Sequence, residues 1–256
     1  MKIRLLRHAT MLIDYGGKKI LTDPMLNPAG AADPVPTKAG AGKRRNPLVD
    51  LPVSPSELRG LLNSAQAALI THLHFDHFDD LEGRMLPGEL PLFCQEEECE
   101  RLRAIGFTRL YPIKETAVWD GLTIARTEAR HGGFYWRRKM GTGSGYVLKA
   151  SGEPVLYLAG DTIWSPPVKK TLTAHRPQVV VLYAGAAQFP FGRPITMDAR
   201  DIAKVCRSAP EARIMVVHME AINHCLLTRE ELKLFLQTKP YANRVYIPAD
   251  GEEVSF

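Results

Sequence analysis

Short apolar runs bounded by glycine, proline and acidic residues recur along the chain. They alternate with stretches of helical period. AALIT (67–71), LTIARTEAR (122–130), VLYLAGD (155–161), VVVLYAG (179–185) and RIMVVH (213–218) are rich in Val, Ile, Leu and Tyr, as expected of strands. At the N-terminus Ile3 and Leu5, then Met11, Leu12 and Ile13, precede Gly16-Gly17, which predicts a strand and a hairpin turning at the glycines. Helix starts are equally legible. Ser54-Pro55-Ser56-Glu57 reads as a capping box with proline at the first helical position, and Thr228-Arg229-Glu230-Glu231 as a second box. Residues 94–107 predict a helix ending at Gly106, with Glu96 to Glu98 as its solvated first turn, and residues 196–210 a helix stopped near Pro210. Strands alternating with helices imply α/β layers, the sheets covered by helices. Residues 24–56 break the pattern: rich in Pro, Gly and Ala, they predict a long loop, either plain surface or a flap over a site.

Four of the strands run into ionisable residues: AALIT into His72, LTIARTEAR into His131, VLYLAG into Asp161 and RIMVV into His218. Strand ends in α/β folds converge on a rim where ligands bind. Residues 70–80, ITHLHFDHFDD, add His74, Asp76 and His77. So many ionisable groups are not buried cheaply unless paired or metal-bound. Five imidazoles and two carboxylates exceed what one tetrahedral ion takes, and suit two ions sharing a carboxylate. Asp79 and Asp80 read as ordinary residues opening the next helix.

Composition narrows the setting. The 256 residues are 45% hydrophobic and 24% charged, enough for a large core in one domain or two fused halves, and no apolar stretch approaches a membrane span. The N-terminus lacks the pattern of a signal peptide, so a cytoplasmic location is expected. The scattered Cys94, Cys99, Cys206 and Cys225 suggest neither a disulfide framework nor a zinc knuckle. A net charge of +5 mildly favours anionic partners and falls well short of a nucleic-acid signature.

His72-Leu73-His74-Phe75-Asp76-His77 resembles the H-x-H-x-D-H signature of the metallo-β-lactamase superfamily. The resemblance continues through Asp23 in LTDP, His131, Asp161 in AGDT and His218 in VVHME, and so covers nearly the whole chain. RHATMLI resembles the GHAT-x-LI opening of the branch containing ascorbate-6-phosphate lactonase and the N-acyl-phosphatidylethanolamine phospholipase D type, with Arg7 in place of the usual glycine. The resemblance implies a four-layer αββα sandwich spanning residues 1–256 as a single domain. It implies His72, His74 and His131 on one metal ion, Asp76, His77 and His218 on a second, and Asp161 between them. Zinc is the favoured ion, with manganese and iron as alternatives. Aspartate at the bridging position, where zinc β-lactamases usually carry cysteine, disfavours antibiotic hydrolysis.

Asp76 and Asp161 are then catalytic as well as ligating, and the implied nucleophile is a hydroxide held by both ions. Asp23 orients a ligand histidine. His8 either does the same or makes a structural hydrogen bond. His224 is a candidate proton donor or substrate contact. Two ions, two carboxylates and a hydroxide leave the centre near +1, which points to a small anionic ester, lactone or phosphoester. Tyr135, Trp136, Arg137, Arg138 and Glu220 are candidate substrate contacts, with Phe134 and Lys139 in the same stretch; the alternative for 131–146 is a hairpin with a solvated basic face. Lys43, Arg44 and Arg45 are further candidates from the long loop, and Cys225 reads as a small buried residue. A nuclease or phosphodiesterase, and a non-hydrolytic redox relative, are the competing functions. A homo-oligomer is compatible with the sequence.

Overall fold

Alternation within the strands sets the layering. In β11 (Val179–Tyr183), Val179, Val181 and Tyr183 face one hydrophobic core, while Val180 and Leu182 face another. In β4 (Ala67–Leu69), Ala67 and Leu69 enter that same first core and Ala68 a third. Strands buried on both faces must be covered on both. The computed structural model, which describes residues 1–38, 42–79, 81 and 85–256, shows how. Two seven-stranded sheets pack face to face over the first core, and helices cover each outer face. This is the expected αββα sandwich of the metallo-β-lactamase fold.

The first sheet runs β14 (Glu253–Ser255), β1 (Lys2–Arg7), β2 (Thr10–Tyr15), β3 (Lys18–Thr22), β4, β5 (Leu92–Cys94), β6 (Leu110–Pro112). It is antiparallel up to β3 and parallel from there to β6. The second runs β13 (Val245–Tyr246), β12 (Arg213–Val217), β11, β10 (Leu156–Leu158), β9 (Gly143–Lys149), β8 (Leu122–Ala129), β7 (Thr116–Trp119). It is parallel from β13 to β10 and antiparallel beyond. Each sheet thus joins a meander to a parallel half. Helices α1 (Pro55–Ser64) and α2 (Cys99–Ile105) cover the first sheet through Leu58, Leu62 and Leu102. Helices α4 (Pro166–His175), α5 (Ala199–Ser208) and α6 (Arg229–Leu236) cover the second through Leu172, Ile202, Val205 and Leu232. Among the described residues, no helix is long and apolar enough to cross a membrane.

Local signals mostly act as expected. Gly16 and Gly17, with φ of 58° and 71°, close the β2–β3 hairpin. Both halves of the Thr228–Glu231 box form. At α1 only Ser54 caps, through the Glu57 N–H, because the Glu57 carboxylate pairs with Arg4 instead. The acidic turn divides: Glu96 and Glu97 are exposed, but Glu98 turns inward. Residues 131–146 hold no hairpin; Phe134–Met140 form helix α3. Asp79 is buried and accepts the N–H groups of Asn27 and Leu81, while Asp80 lies outside the described residues.

The loop at 24–56 is tied down from inside. Arg7 is fully buried and donates to the carbonyls of Val49 (2.9 Å), Met25 (2.7 Å) and Asn27 (2.9 Å). Burial lowers its pKa to about 10, against the pull of Asp79, Asp250 and Asp50. The glycine of the resembling motif is thus replaced by the residue that anchors the loop. The buried Asn46 and Asn223 bond to each other twice, each at 2.8 Å, and Asn223 also exchanges bonds with the Val35 backbone. Leu48 N–H adds a bond to the Ala221 carbonyl.

Candidate metal centre

β3, β4, β8, β10 and β12 deliver Asp23, His72, His131, Asp161 and His218 to one rim, and the turn after β4 adds His74, Asp76 and His77. Their ligand atoms form three overlapping groups: His72, His74 and His131; His72, His77 and Asp161; and His8, Asp76, His77 and His218. All but His74 are buried. The backbone bends sharply there. His8, Asp23, His218 and Glu220 have φ of 60°, 39°, 68° and 65°, a region non-glycine residues seldom occupy and one that clusters at functional sites. At Gly185 (φ 79°) an added Cβ would lie 2.3 Å from the His218 carbonyl oxygen, so the strand turn can approach His218 only as glycine.

Nitrogens and carboxylate oxygens converge. His72 Nε2 lies 2.8 Å from His74 Nδ1, and His77 Nε2 lies 3.1 Å from His218 Nε2. Two nitrogens on one tetrahedral zinc, each about 2.0–2.1 Å from it, stand about 3.3 Å apart. Asp161 spans the groups. Its Oδ1 is 3.3 Å from His77 Nε2 and 3.2 Å from His218 Nε2, and its Oδ2 is 3.5 Å from His131 Nε2. Among the described residues, buried Asp161 Oδ1 and both His131 nitrogens lack a hydrogen-bond partner. Orphaned polar atoms aimed at one another are costly unless something bridges them. The donor set fits divalent ions.

The far nitrogens of the rings are also held. Thr71 Oγ1 lies 3.0 Å from His72 Nδ1, the Met140 carbonyl 3.0 Å from His74 Nε2, Asp23 Oδ2 3.1 Å from His77 Nδ1, and Cys225 Sγ 3.8 Å from His218 Nδ1. Such contacts fix which nitrogen keeps its lone pair for an ion. Asp23 does this twice, because it also accepts Thr71 N–H (2.7 Å) and Thr71 Oγ1–H (2.8 Å) and so steers His72 through Thr71. His8 stands closer to the centre than its motif suggested: its Nε2 is 3.3 Å from Asp76 Oδ2 and its ring lies 3.6 Å from that of His218.

Burial and the neighbouring His77, His74 and His131 push the His72 pKa well below its usual value. Burial and His131 push His74 down to about 4. His77 goes the other way: burial opposes its charging, but Asp161, Asp76 and Asp23 outweigh that and raise it. Burial likewise opposes ionising Asp76 and Asp161, and the facing histidines overcome it, holding both carboxyls well below the usual range. A proton and a cation would therefore compete at His77.

The remaining candidates separate. His224 is buried, its ring 5.8 Å from Phe189, with no hydrogen-bond partner for Nδ1 among the described residues. Burial lowers its pKa, against the fields of Asp76 and Asp161. Trp136 stacks on Phe189 (4.2 Å) and Phe191 (5.1 Å), and Tyr135 packs on Trp136. Trp136, Met140 and Phe189 pack on Met25, Ile195, Ile222 and Cys225, an apolar wall beside His74. Arg137 and Arg138 line a different recess, with Phe134, Glu128 and Thr142. Glu220 is bound by Arg229, which also pairs with Asp250. Lys43 and Arg44 are exposed, and Arg45 turns back onto the loop, to Asp33 and the Gly30 carbonyl. Phe189, Met140 and Glu98 were missed at the level of sequence. QFPFG (188–192) offered an aromatic signal for the first; the other two carried none.

The Beta-lactamase superfamily domain model matches residues 18–219. The chain is 36% identical to UPF0173 protein YddR of Bacillus subtilis over the full length of both. The crystal structure of isothiocyanate hydrolase from Delia radicum gut bacteria superposes with a TM-score of 0.93 at 36% identity, covering 100% of this chain and 99% of that one. A structure described as a possible metal-dependent hydrolase from Veillonella parvula gives 0.94 at 31%, with the same coverage. The chain belongs to the beta-lactamase superfamily and, within it, to the UPF0173 family of metal-dependent hydrolases.

Proposed function

We propose that the chain hydrolyses a small, uncharged electrophile with an apolar substituent, and that an isothiocyanate is the substrate class to test first. The observation that carries this is the setting of His74. It is the one member of the ligand groups that is not fully buried, and it lies under the end of α3, beside the wall of Trp136, Met140 and Phe189. An apolar wall beside the ligand groups suits a neutral molecule with an apolar substituent. The full-length likeness to an isothiocyanate hydrolase supports the same class.

His72, His74 and His131 would hold one divalent ion, Asp76, His77 and His218 another, and Asp161 would contact both. Zinc is the favoured metal. Ions held there would supply a nucleophile at neutral pH, by lowering the pKa of bound water from 15.7 toward ~7, and would polarise the attacked group. The balanced reaction takes R–N=C=S and water to R–NH2 and carbonyl sulfide. The chain's own residues prepare it. Asp76 and Asp161 stay ionised and offer hydrogen-bond acceptors that orient the attacking water, whose proton passes to solvent. Asp23 and Thr71 keep His72 and His77 in the ligating tautomer. His224, neutral because it is buried, offers an N–H to the substrate heteroatom without adding charge. Trp136 and Phe189 receive the apolar substituent, with Tyr135 at the outer edge.

Esters and lactones present the same kind of electrophilic carbon and form the second class. Phosphoesters rank below them, because Arg137 and Arg138 line a recess shared with Glu128 and Glu220 is occupied by Arg229. The test is a panel of an aralkyl isothiocyanate, a neutral lactone and a phosphodiester, with amine, acid and alcohol release measured on zinc-loaded protein. Turnover of the isothiocyanate, with a raised KM in Trp136→Ala, is expected. Turnover of the phosphodiester alone, or redox activity on bound iron without hydrolysis, overturns the proposal.

A further inference from the structure

The segment carrying His72 and His74 is gripped from outside the centre. Leu73 sits between them. Its N–H belongs to the peptide plane joined to His72, and its carbonyl to the plane joined to His74. Glu98 Oε1 accepts the N–H at 2.7 Å, and Arg101 Nη1 donates to the carbonyl at 3.1 Å. The two side chains come from adjoining turns, the 3-10 turn Glu96–Glu98 and helix α2. That piece is itself fixed. Cys99 and Leu102 are buried in the helix-covered core. The neighbouring Gln95 side chain accepts from Arg126 (2.7 Å) and Ser144 (3.1 Å) and donates to the Thr142 carbonyl (3.1 Å).

We propose that Glu98 and Arg101 are positioning residues, a clamp that sets the orientation of His72 and His74 by holding both peptide planes around Leu73. Ligand groups must be held within about 0.5 Å and 10–20° to bind well, so fixing the peptide planes that carry the two imidazoles narrows the range of orientations they can take. The two jaws are unequal. Glu98 is partly buried, its Oε2 enclosed without a hydrogen-bond partner among the described residues, so water replaces its contact with Leu73 less readily. Arg101 is exposed, and water takes over the carbonyl when it is removed. The inference rests on His72 and His74 being metal ligands.

The experiment is zinc affinity, measured by competition with a chromophoric chelator on the full-length protein, beside melting curves of the metal-free forms. Glu98→Ala should weaken at least one equivalent of zinc on the order of 10-fold, the low end for loss of a group that orients ligands. Glu98→Gln keeps an oxygen for the Leu73 N–H and should stay within about 3-fold of wild type, and Arg101→Ala should fall between. Should Glu98→Ala fail to fold, Glu98→Asp withdraws the oxygen by one methylene and takes its place. Wild-type protein that binds no zinc defeats the ligand assignment. Wild-type binding that Glu98→Ala leaves unchanged defeats the clamp alone, as does equal weakening by Ala and Gln, which would make charge the operative property.

Discussion

Asp23→Asn tests how the centre selects its nitrogens, with almost no change of shape. Asp23 is fully buried at φ 39°, which asparagine tolerates, so the substitution adds no backbone strain. Its Oδ1 accepts Thr71 N–H, and its Oδ2 faces both Thr71 Oγ1 and His77 Nδ1. An asparagine whose oxygen keeps the Thr71 N–H must turn its NH2 toward His77 Nδ1. His77 then has to accept at Nδ1 and carry its proton at Nε2, the nitrogen that faces His218 and Asp161. A protonated Nε2 has no lone pair for an ion. The flipped amide is no better, because it sets NH2 against the Thr71 N–H at 2.7 Å. Loss of such an orienting partner lowers metal affinity about 10–100-fold, or about 1.4–2.7 kcal/mol. Thr71 relays the change to His72, so the upper half of that range is expected. Calorimetric zinc titration reads the affinity, and circular dichroism confirms the fold. A folded Asp23→Asn variant with wild-type zinc affinity would mean that His77 does not ligate through Nε2, and the assignment of that histidine would fall.

Replacing His74 or Asp161 by alanine should abolish metal binding and turnover; elemental analysis and the substrate panel check this, and a variant with full metal and rate refutes the centre. Glu98 gives a pH signature in the metal-free protein. Burial raises its pKa from 4.5 to about 7, against the lowering effect of the Leu73 hydrogen bond. The folded chain thus holds a proton that the unfolded chain has lost between those values, and stability contributed by Glu98 falls as pH rises through that window, by about 3 kcal/mol at most. Urea melts of wild type and Glu98→Gln from pH 4.5 to 8 should show the gap between them changing by that order; a constant gap contradicts it. Arg7→Met strands three carbonyls and should cost about 3 kcal/mol in the same assay; a loss below about 1 kcal/mol would show that Arg7 is not the anchor of the long loop.

Three of the strands that carry the centre, β4, β10 and β12, were legible because each is a short apolar run buried on both faces, ending abruptly in His or Asp. His72, Asp161 and His218 announce themselves that way. Charge was a weaker guide. Arg137, Arg138 and Trp136 are neighbours in sequence, but α3 turns Trp136 toward the wall beside His74 and the two arginines toward another recess. A strand or hairpin reading of that stretch has no means of separating them. Glu98 was hidden by its neighbours: three glutamates in a row look alike, and only the 3-10 turn sends one of them inward. Arg7 looked like a departure from the resembling motif. Its three carbonyl partners lie 18 to 42 residues away, a distance at which local pattern carries no information.

The paired asparagines have a consequence for how this enzyme can change. Because Asn46 and Asn223 bond to each other and Val35 shares Asn223, the long loop and the turn that leads into His224 form one mechanical unit. An altered loop does not reshape the approach by itself; it carries the neighbouring turn with it. New specificities should therefore arise through paired changes on the two sides of that joint, and a library that varies residues 24–56 alone should yield mostly loosened proteins, while one that varies 46 and 223 together should reach new substrates.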